Sequence, residues 1–183
     1  MKWFSQLAAL DRRLSRAMHV REHSLYKTIA TISAHLGDGP IWLVVWIGGI
    51  LLFKPPVRWQ MAAWFIASIL AAVFTYSIKF LFKRRRPHER YGFEIGNFYS
   101  KGYDKHAFPS GHATRMGTLP VFGAWIFPHY ALAFWAISLI CIWARVALGV
   151  HYVGDVIAGW LIGAAAGLLI ILLYPIVLNA LIT

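Results

Sequence analysis

Charged residues and cysteine are scarce in this sequence, and each scarcity excludes a class of protein. Only 14% of the 183 residues are charged, whereas an ordinary soluble domain has about 25%. The hydrophobic share is 59% and includes nine tryptophans, so the composition is that of an integral membrane protein. The single cysteine, Cys141, excludes an intrachain disulfide and leaves the redox compartment open.

The first 28 residues lack the uninterrupted apolar core and small-residue cleavage site of a signal peptide. Phe4, Leu7, Leu14 and Met18 recur at helical spacing, and four arginines supply a charged side. We therefore expect residues 1–28 to form an amphipathic helix that lies in the membrane interface. A solvated helix packed on the rest of the protein is the alternative.

Uncharged runs beyond this segment predict an all-α, polytopic membrane bundle of about five to six transmembrane helices, and the whole chain, 1–183, is expected to be one domain. Five spans are expected, at 29–53, 59–82, 111–127, 130–147 and 152–175, within a transmembrane catalytic bundle at 29–183. As one helix, the run Met116–Ala144 would measure roughly 43 Å, too long for a bilayer core of about 30 Å. A turn at Pro128 is the alternative.

Ionisable residues gather at three places in and beside these spans: 79–90, 106–115 and 145–155. A charge at membrane depth costs about 2.5–3.5 kcal/mol on insertion scales, so such clusters indicate a site. If the chain turns back at Pro128, all three clusters lie at one face of the membrane. The clustering therefore favours the turn.

The first cluster contains Lys79 and Arg86, seven residues apart in KFLFKRRRP. Both would project from one helix face if the helix continued to Pro87, and together they could hold one tetrahedral anion. A headgroup contact or a topology signal is the alternative.

The second cluster contains the string PSGH. Pro109 and Ser110 predict the start of a helix, with free N–H groups at Ser110, Gly111 and His112. Because such a terminus binds phosphate, His112 would lie beside the anion. A simple helix cap is the alternative.

The third cluster pairs His151 with Asp155, four residues on, so the two would lie one above the other on a helix. The carboxylate would then accept the Nδ1 proton and leave Nε2 as a nucleophile or base. Arg145 would add a guanidinium at the same depth. A structural His–Asp pair with an unrelated arginine is the alternative.

In order and spacing, these three clusters resemble the three-part signature of the type 2 phosphatidic acid phosphatase superfamily, over the chain from about residue 29 onwards. The resemblance implies a helical-bundle membrane enzyme, independent of metal and without a cofactor, that removes phosphate from lipid phosphates or diphosphates. One position departs from the pattern, because Ala144 stands where the family usually has serine.

The resemblance also implies the role of each residue. His151 would be the nucleophile that forms a phosphohistidine, Asp155 its orienting partner and His112 the acid that protonates the leaving oxygen. The phosphoryl oxygens would be held by Lys79, Arg86, Arg145 and the Ser110 and Gly111 amides. His106 and Arg115 are accessory candidates; Arg115 would contact the phosphate or pair with Glu89, Glu94 or Asp104.

The expected partners are the lipid bilayer and a phosphorylated lipid, such as phosphatidylglycerophosphate, phosphatidic acid, undecaprenyl diphosphate or a lipid A phosphate, and no nucleic acid. A lipid phosphotransferase and a non-catalytic lipid-binding protein on the same fold are the alternatives. The expected location is a bacterial plasma membrane. Sixteen lysines and arginines on the site side against two on the other would place the site in the cytoplasm, whereas the habit of the superfamily favours the exterior.

Overall fold

The computed structural model of this protein describes residues 2–21, 23–93 and 105–182. Within these ranges the secondary structure is helical throughout, so the predicted all-α bundle is confirmed. The helices are α1 (Lys2–Ala17), α2 (Leu25–Ala34), α3 (Gly39–Leu52), α4 (Val57–Phe82), α5 (Pro87–Tyr91), α6 (Gly111–Ile126), α7 (Ala131–Ala147) and α8 (Val153–Ile182).

Among the residues that the structure describes, three stretches are long and apolar enough to cross a membrane, and α4, α7 and α8 form most of their length. A fourth span results if α2 and α3, which meet at a bend of 46°, are counted as one broken helix. Helix α6 has 16 residues and is enclosed by α4, α7 and α8. All five expected spans thus correspond to helices, and α6 is the short one at their centre.

The chain turns back at Pro128, as the length of the apolar run predicts. Helix α6 ends at Ile126, a 3-10 turn covers Pro128–Tyr130, and α7 begins at Ala131. Proline suits this turn because it has no N–H to donate and its ring fixes φ. The hairpin brings the start of α6 and the end of α7 to the same end of the bundle, which we call the site end.

Helices α6 and α8 make the closest crossing in the bundle, and glycine permits it. A Cβ atom on Gly163 would overlap the carbonyl oxygen of Thr114, and one on Gly117 would overlap that of Trp160. Small residues at such crossings let two helix backbones approach closely in a membrane. The glycines therefore set the distance between the start of α6 and the start of α8.

The interior of the bundle next to the site end is filled by a cluster that we call the aromatic core, which contains Trp42, Trp46, Trp64 and Phe122. The Trp64 ring stacks on Phe122 with 5.7 Å between centroids and lies 5.5 Å from Trp42. Trp64 Nε1 donates a hydrogen bond to Thr118 Oγ1 at 2.9 Å, which satisfies its buried N–H. The aromatic core is held together mainly by apolar packing.

Helix α1 is amphipathic, as predicted, but it ends at Ala17 and does not cover the whole segment 1–28; it also packs on the bundle. Its large apolar side chains are exposed, namely Trp3, Phe4, Leu7, Leu10 and Leu14, and so is Met18 directly after its end. Its polar edge contacts the start of α8, because Asp11 Oδ1 accepts the Gly154 N–H at 2.8 Å and Ser15 Oγ accepts the Val153 N–H at 2.9 Å. The exposed stripe agrees with an interfacial helix, whose insertion in the membrane stays a prediction.

Candidate active site

The end of α4 presents Lys79 and Arg86 in a way that the sequence did not predict. Helix α4 ends at Phe82, and Lys83 has a left-handed backbone with φ of 44°. The helix end agrees with the expected span 59–82, but the condition under which Lys79 and Arg86 would share one helix face is not met, and a loop carries Arg86 to the site. Both side chains are buried all the same, and Lys79 Nζ donates to the carbonyl of His106 at 2.8 Å.

Ser110 caps α6, which begins at Gly111 as predicted. Its Oγ accepts the Ala113 N–H at 3.4 Å. The Ser110 N–H is not free, however, because it donates to the carbonyl of Asp155 at 3.0 Å. Of the three amides expected to face an anion, those of Gly111 and His112 remain candidates, at the positive end of the helix dipole.

His151 lies in the loop between α7 and α8, because α8 begins only at Val153. The expected placement of His151 and Asp155 on one helix is therefore wrong. His151 Nδ1 is 2.8 Å from the carbonyl oxygen of Ala107 and 3.8 Å from Asp155 Oδ2. A carbonyl oxygen only accepts hydrogen bonds, so Nδ1 carries the proton and Nε2 keeps its lone pair. The proton is thus on Nδ1, as expected, but the group that accepts its hydrogen bond is the carbonyl of Ala107 and not the carboxylate of Asp155.

Asp155 holds the loop that carries His151 and links it to α1. Its Oδ2 accepts the Tyr152 N–H at 2.8 Å, and its Oδ1 accepts a bond from Arg84 Nη1 at 2.6 Å. The other nitrogen of the same guanidinium donates to Asp11 Oδ2 at 2.5 Å. Sequence reasoning missed Arg84 and Asp11; the only available signal was an isolated acidic residue in a strongly basic segment.

The environment of His151 keeps its imidazole neutral. The side chain is 1% exposed. Burial, followed by the positive charges of Arg86, Arg145 and Lys79, holds the pKa of His151 well below its usual value. A neutral imidazole with a free Nε2 lone pair has the form that a nucleophile requires.

His112 lies in the first turn of α6 and contacts a carboxylate that sequence reasoning also missed. Its Nε2 is 2.8 Å from Asp38 Oδ1, and Asp38 Oδ2 is 2.7 Å from His35 Nδ1. Asp38 follows the short 3-10 turn that separates α2 from α3. The signal that could have found it is an acidic residue inside an otherwise uncharged span.

The two accessory candidates support the site through backbone carbonyls. Arg115 donates to the carbonyl of Gly37, beside Asp38. Of its expected partners, Glu89 instead accepts the Arg86 N–H at 3.3 Å, and Glu94 and Asp104 lie outside the described residues. His106 offers its carbonyl to Lys79.

The predicted site residues thus converge at one end of the bundle, as three cations around one histidine. Lys79, Arg86 and Arg145 are 2%, 7% and 2% exposed, and all three act electrostatically on His151. Fixed cations of this kind can hold the oxygens of a tetrahedral anion, and the N-terminus of α6 adds backbone donors. Chemically, the arrangement suits attack on a phosphoryl group.

Comparison with known proteins agrees with this chemistry. The model of the PAP2 superfamily matches residues 61–177. The lipid A 1-phosphatase of Rhizobium etli is 33% identical over 122 residues, which are 64% of this chain and 52% of that protein. The lipid A 4'-phosphatase of Porphyromonas gingivalis is 26% identical over 166 residues, 80% of this chain and 70% of that protein. The chain spans about half the length of the R. etli protein.

Two solved structures share the fold. The PAP2-type phosphatidylglycerolphosphate phosphatase of Bacillus subtilis superposes with a TM-score of 0.72 at 20% identity, over 90% of this chain and 84% of that one. LpxE of Aquifex aeolicus superposes with a TM-score of 0.69 at 22% identity, over 87% of this chain and 93% of that one. The B. subtilis protein is named as a transmembrane phosphatase, and the described residues of this chain include at least three helices able to cross a membrane, so the chain is a multi-pass membrane protein.

Proposed function

This chain belongs to the PAP2 superfamily, and from that premise we propose that it is a metal-independent phosphatase acting on phosphorylated membrane lipids. The observation that carries the proposal is that His151 is buried together with Lys79, Arg86 and Arg145, whose positive charges act on it. Phosphoryl transfer needs mainly positioning and stabilisation of the oxygen charges. Three fixed cations supply that stabilisation where other enzymes use magnesium.

In the first step, Nε2 of His151 attacks the phosphorus atom and the bond from phosphorus to the lipid oxygen breaks. The product on the enzyme is a phosphohistidine. His112 gives a proton to the leaving lipid oxygen, which departs as an alcohol, or as a lipid monophosphate when the substrate is a diphosphate. Lys79, Arg86, Arg145 and the Gly111 amide hold the equatorial oxygens.

In the second step, His112 takes a proton from a water molecule as that water attacks the phosphohistidine. The bond between phosphorus and Nε2 breaks, inorganic phosphate leaves, and both histidines return to their starting forms. Asp155 acts through the loop, since its bonds to the Tyr152 N–H and to Arg84 fix the backbone next to His151. The Ala107 carbonyl keeps the proton on Nδ1 throughout.

We propose a lipid A type phosphate as the first substrate to test, because relatives of this chain bear the names lipid A 1-phosphatase and lipid A 4'-phosphatase. The site chemistry fits any accessible lipid phosphomonoester or diphosphate. Phosphatidylglycerophosphate, phosphatidic acid and undecaprenyl diphosphate therefore belong in the same panel.

The test is phosphate release by the purified protein in detergent, with EDTA present, across that panel. We expect release from at least one lipid, undiminished by EDTA. His151→Ala should abolish it, and His129→Ala, which changes an exposed histidine in the turn at the opposite end, should not. Loss of activity with EDTA would contradict the metal-free mechanism, and transfer of labelled phosphate to a second lipid would identify a phosphotransferase.

We place the protein in a bacterial plasma membrane, because the relatives it matches are bacterial, with the site facing away from the cytoplasm. A membrane-impermeant maleimide tests the facing on spheroplasts. Lys105→Cys, at the site end, should react from outside, and Lys54→Cys, in the opposite loop, should not; Cys141 is buried and serves as the silent background. The reverse pattern would place the site in the cytoplasm.

A further inference from the structure

We propose that Asp38 is a positioning residue that holds His112 in the orientation and charge state of the acid, with His35 restraining the carboxylate from its other side. The inference rests on the proposed function, in which His112 protonates the leaving oxygen. It is carried by the hydrogen bonds from His112 Nε2 to Asp38 Oδ1, 2.8 Å, and from His35 Nδ1 to Asp38 Oδ2, 2.7 Å.

Asp38 does not use its carboxylate to cap its own helix. It occupies the N-cap position of α3, where an aspartate usually accepts a hydrogen bond from the first turn of its own helix. Here the side chain makes no such bond. The carboxylate instead turns towards His112 and His35, so the helix start gives up its cap in favour of the two imidazoles.

The break between α2 and α3 is built around the His112 ring. A Cβ atom on Gly37 would lie 2.8 Å from His112 Cδ2 and 3.0 Å from Cys141 Sγ, so the ring packs directly against this backbone. Arg115, one turn after His112, donates to the Gly37 carbonyl. Irregular backbone at membrane depth is tolerated where it is buried in protein or lines a cavity, and here it contacts the acid.

The chemistry of the acid requires a counter-charge at this place. Asp38 supplies a negative charge in direct hydrogen-bond contact with His112, and an opposite charge at this distance favours the protonated ring. With Nε2–H held by Asp38, the proton that reaches the leaving oxygen comes from Nδ1. After the transfer, His112 is neutral. Its Nε2 keeps its proton and still donates a hydrogen bond to Asp38, so Nδ1 is free to accept a proton from water.

The experiment compares two substrates that differ in their need for an acid. Dodecyl phosphate releases a strongly basic alkoxide, and a nitrophenyl phosphate with an alkyl tail on the ring releases a weakly basic phenolate. In Asp38→Asn we expect kcat/KM to fall by about 10- to 100-fold for the alkyl ester and by no more than about twofold for the aryl ester. kcat/KM is the right quantity because it reports formation of the phosphohistidine.

Asp11→Asn is the matched control, because Asp11 is also a carboxylate next to the site but acts through Arg84 on the His151 loop. Its loss should be equal for the two esters. If thermal melting shows that Asp38→Asn does not fold, His35→Gln is tested instead. It should show the same selective loss of kcat/KM for the alkyl ester, but a smaller one. An equal loss for both esters in a folded variant would overturn the inference, whereas a wild-type protein inactive on both would overturn the proposed function itself.

Discussion

The site end of the bundle and the aromatic core bury different kinds of side chain. The aromatic core buries Trp42, Trp46, Trp64 and Phe122, which attract one another without any fixed charge. The site end buries three cations, Lys79, Arg86 and Arg145, together with His151 and the single carboxylate of Asp155. Positive charge therefore exceeds negative charge among the buried side chains described there.

This difference separates what stabilises the fold from what serves the chemistry. Apolar packing contributes stability in proportion to the area and volume it fills. Buried charges cost free energy unless partners of opposite charge offset them. A cluster with more cations than carboxylates is suited to an anionic ligand, and a lipid phosphate supplies that charge.

The largest expected effect comes from removing a cation at the site end. Arg145→Gln should lower kcat/KM by about 100- to 1,000-fold, because it removes a fixed charge that stabilises the transferring phosphoryl group. Steady-state phosphate release measures it. Arg58→Gln, which removes the same charge near the start of α4, is the control and should leave kcat/KM unchanged; equal losses would show that the effect is one of net charge alone.

A steric change at the α6–α8 crossing should damage the site without touching its charges. A Cβ atom on Gly159 would overlap the Ser110 carbonyl, so Gly159→Ala should push the start of α6 away from His151. A misplacement of about 1 Å lowers the rate by about 100-fold, and we expect a loss of kcat of that order. Gly48→Ala, with no atom within 4 Å of the added carbon, is the control. Full activity in Gly159→Ala would contradict the role given to this crossing.

In the aromatic core, a substitution should affect stability rather than chemistry. Trp64→Ala removes the ring that stacks on Phe122 and should lower the free energy of unfolding by about 3–5 kcal/mol. kcat measured well below the melting temperature should stay within about twofold of wild type, since no site residue is touched. Thermal melting in detergent and a kinetic assay at low temperature measure the two quantities. A loss of kcat in the folded variant would show that the aromatic core and the site are coupled.

The smallest expected effect is that the imidazole of His151 does not take up a proton over the pH range in which an ordinary histidine does. Because burial and neighbouring cations lower the pKa of His151, its imidazole should stay neutral as the pH falls from 8 through the usual histidine value. The unfolded chain would take up that proton, so the shift makes His151 a destabilising group as the pH falls below its unfolded pKa. Nitrogen NMR of labelled histidine, assigned with His151→Gln, follows this directly. A resonance that titrates near the ordinary value would contradict the buried, cation-rich environment.

The parts of the fold and site that the sequence predicted are those with a local signature. Pro109 and Ser110 mark the start of α6, and Pro128 marks the turn, because proline and a capping serine act on their own backbone. The three charged clusters were found because charges are conspicuous in apolar spans. That the three clusters lie together at the site end followed from the turn at Pro128 alone.

The parts that were missed depend on contacts between distant segments. His151 Nδ1 binds the carbonyl of Ala107, and a backbone acceptor leaves no mark in the sequence. Asp38 reaches His112 across 74 positions of the chain, and a single carboxylate outside a motif does not reveal its partner. The end of α4 at Phe82 agrees with the expected span 59–82, but the loop that carries Arg86 back to the site depends on contacts that the sequence does not show.

The most direct test of the central claim is to trap the phosphorylated enzyme. Protein mixed with a phosphate-labelled lipid is quenched in alkali, which preserves phosphohistidine, and digested for mass spectrometry. We predict phosphate on His151 and none in His151→Ala, with Asp11→Asn as a folded variant that still becomes labelled. Phosphate found on another residue of the active wild-type protein would contradict the account.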